Sequence, residues 1–164
     1  MNVWGIVGWK NSGKTGLMER LVSEFTSRGL KVSTVKHAHH SFDVDQEGKD
    51  SHRHRVAGAT EVLLASGTRW ALMHELRGDA EPNLDKMLKR LSPVDLVLVE
   101  GYKRDQHPKI EAHRAETKTA LIALEDPSVR AIASDSEASA EGRPTFNLND
   151  TKAIADFIAK ELAL

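Results

Sequence analysis

Gly8-Trp9-Lys10-Asn11-Ser12-Gly13-Lys14-Thr15 fills every fixed position of the pattern G-x-x-x-x-G-K-[ST]. The chemistry of such a segment is phosphate capture. Glycines let the backbone wrap an anion so that successive N–H groups point inward, and the positive end of a following helix adds a favourable field. Gly8, Asn11, Ser12, Gly13, Lys14, Thr15 and Gly16 are the expected phosphate-binding residues. Lys14 would reach the β and γ phosphates, and the Thr15 hydroxyl would ligate Mg²⁺. The segment stands between an apolar run, Val3 to Val7, and a helical pattern from Lys14, the context this chemistry requires. The expected ligand is a nucleoside triphosphate.

A second part of the same chemistry is Leu96-Val97-Leu98-Val99-Glu100-Gly101, an apolar strand that ends in a carboxylate. An acidic residue at the end of a neighbouring strand holds Mg²⁺ in phosphate-loop proteins. A hard cation that keeps several waters needs little more than Thr15, Glu100 and the phosphates. The most unusual composition follows the second strand. His37, His39, His40, His52 and His54, five of the eight histidines, fall among Lys36, Asp43, Asp45, Lys49, Asp50, Arg53 and Arg55. Three roles are open to it. As a γ-phosphate switch, Asp43 or Asp45 would touch Mg²⁺ or orient water, making Asp45 the candidate catalytic residue. As a second anion site, Lys36, His37, Lys49 and Arg53 would hold a phosphorylated ligand. As a transition-metal site, His39 with His52 or His54 would be ligands. Guanine readout has two candidates: Asp135, just beyond a strand end, and Asp150 in Asn147-Leu148-Asn149-Asp150, which reads better as a helix cap.

The elements needed to position these groups are legible. Val3–Val7 reads as a buried strand and Lys14–Arg28 as an amphipathic helix with Leu17, Leu21 and Phe25 inward and Gly29 at its end. Leu30–Val35 reads as a strand, 37–50 as a loop, and Asp50 or Ser51 to Gly58 as a short helix. Glu61–Ala65 and Trp70–His74 form a hairpin about Ser66-Gly67-Thr68. Leu84–Leu91 is a helix and Leu96–Val99 a strand of the kind found inside parallel sheets. Shorter strands are expected at Lys109–Ala112, Ala120–Leu124, Val129–Ala133 and Thr145–Leu148, then a helix over Thr151–Leu162 capped by Asp150. Trp4 and Trp70 lie in strand patterns and are expected in the core or an interface. The fold class is α/β of the P-loop NTPase type, a mostly parallel sheet flanked by helices with an added hairpin and the site at the strand carboxyl ends. Residues 1–164 are read as a single nucleotide-binding domain.

Composition narrows the class further. The formal charge of −1 gives no global basic field for nucleic acid or an anionic membrane. With no cysteine there are no disulfides or thiolate metal sites. No apolar run approaches the ~20 residues of a membrane span, and no targeting pattern precedes the first strand. A cytoplasmic location is the expectation.

Taken together, the phosphate loop, Lys36-His37-Ala38-His39-His40, Asp43-Val44-Asp45 with Gly48-Lys49-Asp50-Ser51, Ala57-Gly58-Ala59, Trp70-Ala71-Leu72-Met73, Leu98 to Lys103, Lys109-Ile110-Glu111, Ala131 to Asp135 and Asn149-Asp150 resemble the MobB family of molybdopterin-guanine dinucleotide biosynthesis adapter proteins. The resemblance implies a Mg-GTP-binding homodimer with slow GTPase activity. It also implies work beside the guanylyltransferase MobA, which joins GMP to molybdopterin, with molybdopterin itself a further candidate ligand. Related dimeric ATPases carry a signature lysine where this chain has Trp9, with Lys10 following instead. Neither a Gln-type water positioner nor an arginine finger is evident, so turnover on the order of 10⁻⁴ s⁻¹ is expected. Two rival classes remain at this stage: an ATP-dependent small-molecule kinase or ligase resembling dethiobiotin synthetase, and a metal-insertion GTPase using the histidines.

Overall fold

A computed structural model of the chain describes residues 1–38 and 42–164. Internal contacts divide the chain into two compact units, Met1–His37 with Leu84–Leu164, and Ala38–Asn83.

The first unit is built on a six-stranded sheet of order β2-β5-β1-β6-β7-β8, paired in parallel throughout. Its strands are β1 (Asn2–Val7), β2 (Val32–Lys36), β5 (Leu96–Glu100), β6 (Lys109–His113), β7 (Val129–Ser134) and β8 (Thr145–Asn147). Continuous apolar runs suit strands covered on both faces, and every residue of β5 is buried. Helices α1 (Lys14–Ser27) and α4 (Thr151–Leu162) cover one face. There Leu17, Leu21, Phe25, Ile154 and Ile158 pack on Trp4, Ile6, Leu96, Leu98 and Ile110. α3 (Leu84–Leu88) carries Leu84 against Val97 and Val99 from the other side. As expected, Asp150 caps α4, accepting from the Ala153 N–H at 3.0 Å, and Gly29 follows α1 at φ +87°.

Register sets the site. Ile6 and Lys36 both pair with Glu100, and Val7 pairs with Glu111. The chain segments leaving β1, β2, β5 and β6 therefore emerge together at one sheet end.

The second unit holds α2 (Asp50–Val56) and the antiparallel hairpin of β3 (Glu61–Ala65) and β4 (Trp70–His74), bounded where the alternation placed it. Arg55 organises this unit. Its guanidinium reaches Asp43 at 2.7 Å, Glu75 at 3.1 Å and Asp45 at 3.4 Å. The hydrogen bonds to Asp43 and then Glu75 raise its proton affinity, and Arg55 in turn holds Asp43 below the usual carboxylate range. Trp70 is 65% exposed, as are large parts of Leu63, Leu64 and Leu72, so Trp70 is no core residue of its hairpin.

One expected strand does not form. Ala120–Leu124 gives way to a turn of 3₁₀ helix at Ile122–Leu124. The buried Glu111 carboxylate accepts the backbone N–H groups of Ile122 and Ala123 at 2.9 and 2.8 Å, which takes away the donors a sheet ladder would need.

Candidate phosphate-binding site

The loop from Gly8 to Thr15 connects the end of β1 to the start of α1, and its backbone accounts for its glycines. Gly8 lies at φ +148°, and a Cβ there would collide with the Ala112 carbonyl oxygen and the Ser12 hydroxyl. Asn11 takes φ 64° and Gly13 φ 91°. Gly13 is the N-cap of α1 and supplies no side-chain acceptor, and the first turn contains no acidic residue. The leading N–H groups of α1 are thus left to an external anion. The Ser12 hydroxyl is buried with no hydrogen-bond partner, and such an atom costs free energy until a ligand or water satisfies it.

Positive charge surrounds the loop. The Lys14 ammonium donates to the Trp9 carbonyl at 2.6 Å, folded back along its own loop. Burial lowers its proton affinity first; Glu100 opposes that, and the ammonium groups of Lys103 and Lys36 add to it. Lys36 stands 3.6 Å from Glu100, whose side chain is mostly buried at the end of β5. Lys103 lies over the Trp9 ring at 4.3 Å, and the indole N–H donates to the Ala120 carbonyl at 2.8 Å. Three lysines against one carboxylate leave a net positive field where the loop opens. The cleft there, about 420 Å³, is lined by Asn11 to Gly16 together with Arg114 and Glu116.

The donor set fits a magnesium nucleotide. Thr15 opens toward solvent at the start of α1, Glu100 contributes one hard oxygen-donor group, and Ser12 awaits a partner. Among the described residues, no group of three or more His, Asp or Glu side chains could hold a metal ion by itself. His39, one of the proposed transition-metal ligands, lies outside the described residues.

The first unit therefore gathers Gly8, Asn11, Ser12, Gly13, Lys14, Thr15, Gly16, Lys36 and Glu100, with His37 beside them. The His37 N–H donates to the Glu100 carbonyl at 2.9 Å, and its ring meets Tyr102 at 4.9 Å. Gly101 is required by this approach, since a Cβ there would sit 2.9 Å from the His37 Cβ. Lys49 and Arg53 belong to the second unit, at the N-cap and on the exposed face of α2. Asp45 belongs there too. Its Oδ1 accepts from the Ser51 hydroxyl at 2.8 Å and the Gln46 N–H at 3.0 Å, and its side chain is 5% exposed. Asp135 is exposed beyond β7 and accepts from the Ala115 N–H at 2.9 Å, bracing the turn after β6. Sequence reading missed Arg114, a lone arginine after a strand that carries no local signal of its partners.

A parallel sheet whose central strand feeds a glycine-rich loop into an uncapped helix, with a carboxylate closing the adjacent strand, defines a phosphate-loop NTPase-type α/β protein. The chain belongs to the MobB family, described as molybdopterin guanine dinucleotide synthesis protein B, which matches residues 3–135. It is 41% identical over 156 residues to a molybdopterin-guanine dinucleotide biosynthesis adapter protein of Haemophilus influenzae, covering 94% of this chain and 85% of that one. The protein of the same description from Escherichia coli is 36% identical, with 93% and 88% covered. The crystal structure of a MobB homologue from Bacillus stearothermophilus superposes with a TM-score of 0.76 at 30% identity over 99% of both chains.

Proposed function

We propose that the chain is a GTP-binding adapter in molybdenum cofactor biosynthesis, assisting the attachment of GMP to molybdopterin to give molybdopterin guanine dinucleotide. Lys14 and the loop amides from Gly8 to Gly16 hold the phosphates, and Thr15 and Glu100 hold Mg²⁺. When bound, the metal neutralises phosphate charge. Lys36 and His37 flank the same strand ends; Lys49 and Arg53 offer a second anion site in the other unit; Asp135 contacts guanine. Residues 1–164 act as one nucleotide-binding domain, with 38–83 inserted between β2 and α3.

One observation carries the reading: an uncapped, acid-free start of α1 coincides with an orphaned Ser12 hydroxyl and with Lys14, Lys36 and Lys103 around Glu100. Family membership, and relatives described as molybdopterin-guanine dinucleotide biosynthesis adapter proteins, support the pathway. The partner is the guanylyltransferase MobA, with molybdopterin a further ligand, and the location is cytoplasmic; no helix among the described residues is long and apolar enough to cross a membrane. A homodimer is supported by the exposed Leu63, Leu64, Trp70 and Leu72, which a second copy would cover. Hydrolysis by the isolated protein stays on the order of 10⁻⁴ s⁻¹, as for phosphate-loop GTPases lacking a finger.

The test is guanylyl transfer to molybdopterin by MobA with and without this protein. Stimulation by the wild type and not by Lys14→Ala is expected. Equal stimulation by both would remove nucleotide binding from the function, and none by either would remove the adapter role.

A further inference from the structure

The turn after β6 holds a cation against the phosphate loop. Val7 of β1 pairs with Glu111 of β6, so the loop and the residues following β6 leave the sheet side by side. The Ala112 carbonyl closes on Gly8, and two residues later the Arg114 guanidinium lies against Gly13. A Cβ on Gly13 would stand 3.1 Å from Arg114 Nε and 3.6 Å from Nη2. This places a permanent positive charge beside the positive end of α1, in the cleft that Lys14 also lines. Like charges this close repel one another, and an anion bound between them relieves that repulsion.

Among the described residues, the one ion pair of Arg114 is weak. Its Nη1 stands 3.5 Å from Glu116 Oε1, with side chains 43% and 67% exposed. Charge-assisted pairs in good geometry close to about 2.7–2.9 Å, and exposed pairs contribute little. The backbone around it is tightly fixed. The Arg114 carbonyl accepts from the Thr117 N–H at 3.1 Å and from the Thr117 hydroxyl at 2.8 Å, and Asp135 accepts from the neighbouring Ala115 N–H at 2.9 Å. A held backbone with a loosely paired guanidinium is the arrangement of a side chain built to take another ligand.

We propose that Arg114 contacts the nucleotide phosphates from the side of the cleft facing Gly13, and that Glu116 is the counterion displaced when they bind. This rests on the nucleotide-binding reading above. The planar guanidinium offers two parallel N–H donors to two phosphate oxygens, whereas an ammonium acts as a point charge.

The experiment is titration of Mg-GTP and Mg-ATP into wild type, Lys14→Ala, Arg114→Ala, Arg114→Lys and Glu116→Gln proteins. Arg114→Ala should weaken both nucleotides by a similar factor, roughly 10- to 100-fold, the range for a lost hydrogen bond to a charged group. Arg114→Lys should restore part of that loss. Glu116→Gln should tighten both nucleotides severalfold. Wild-type binding that Lys14→Ala abolishes and Arg114→Ala leaves intact would overturn this inference alone. So would a Glu116→Gln protein that loses GTP and keeps ATP, since Glu116 would then read the base. Wild type binding neither nucleotide would overturn both this inference and the reading beneath it.

Discussion

Two lysines of the first unit show what separates structure from function in this chain. Lys109, at the start of β6, is fully buried, and its ammonium donates to the carbonyls of Lys103 and Asp105, to Asp126 and to the Ser128 hydroxyl. Those bonds tie the segment between β5 and β6 to the start of β7. Lys14, at the start of α1, donates among the described residues to one acceptor, the carbonyl of Trp9 in its own loop, and stands among other cations. Lys109 has every donor satisfied inside the protein, and the half-buried Lys14 has a partner it can exchange. Chemistry is expected where the internal partners run short.

The comparison breaks most readily on stability. Lys109→Met should destabilise the protein by about 3–5 kcal/mol, because Asp126 and two carbonyls lose a buried cation. Lys14→Met should leave stability within about 0.5 kcal/mol while removing nucleotide binding. Denaturant unfolding of the pair checks this, and equal losses would erase the distinction. Gly8→Ala follows, at roughly 1–3 kcal/mol for a side chain forced into a positive φ, with nucleotide affinity falling alongside; thermal melts and titration report the two together.

The Arg55 cluster sharpens the same contrast in the second unit. Asp45→Asn should lower hydrogen-exchange protection within α2 and the hairpin before it alters nucleotide affinity. Lost affinity with protection intact would make Asp45 a catalytic or switch residue instead.

A smaller effect depends on pH. Burial, and then the Lys109 charge, push His107 down to about 4 from its ordinary 6.5. The unfolded chain then binds the extra proton first as pH falls, so stability is full above about 6.5 and is lost toward 4. Glu111 works in the opposite sense: burial raises its proton affinity, so its contribution is present at acid pH and lost as pH rises through the shifted value. Urea unfolding of His107→Gln between pH 7.5 and 4.5 should show a shallower acid loss than the wild type. The smallest effect is at Trp9, where Lys103→Ala should cost under about 1 kcal/mol and shift the indole emission.

Much of this was legible in sequence because it is local. The phosphate loop, the strand ending at Glu100, the hairpin boundaries and the Asp150 cap all follow from patterns a few residues long. What escaped depends on partners far along the chain. Ala120–Leu124 is an apolar run that reads as a strand, and only Glu111 turns it into a 3₁₀ turn. Lys109 reads as a polar strand start until Asp126 and Ser128 surround it. The rich cluster at 43–55 attracted functional roles through its composition. Much of its charge instead binds Arg55 to Asp43, Asp45 and Glu75, the last of these twenty residues away. Arg114 carries no motif, and its place against Gly13 comes only from strand register.

The most direct measurement is calorimetric titration of Mg-GTP and Mg-ATP into the wild type and Lys14→Ala proteins. The wild type should bind Mg-GTP preferentially and stoichiometrically, and the substitution should abolish binding while the melting temperature holds. Binding that survives Lys14→Ala, or a preference for Mg-ATP, would contradict the GTP-binding reading.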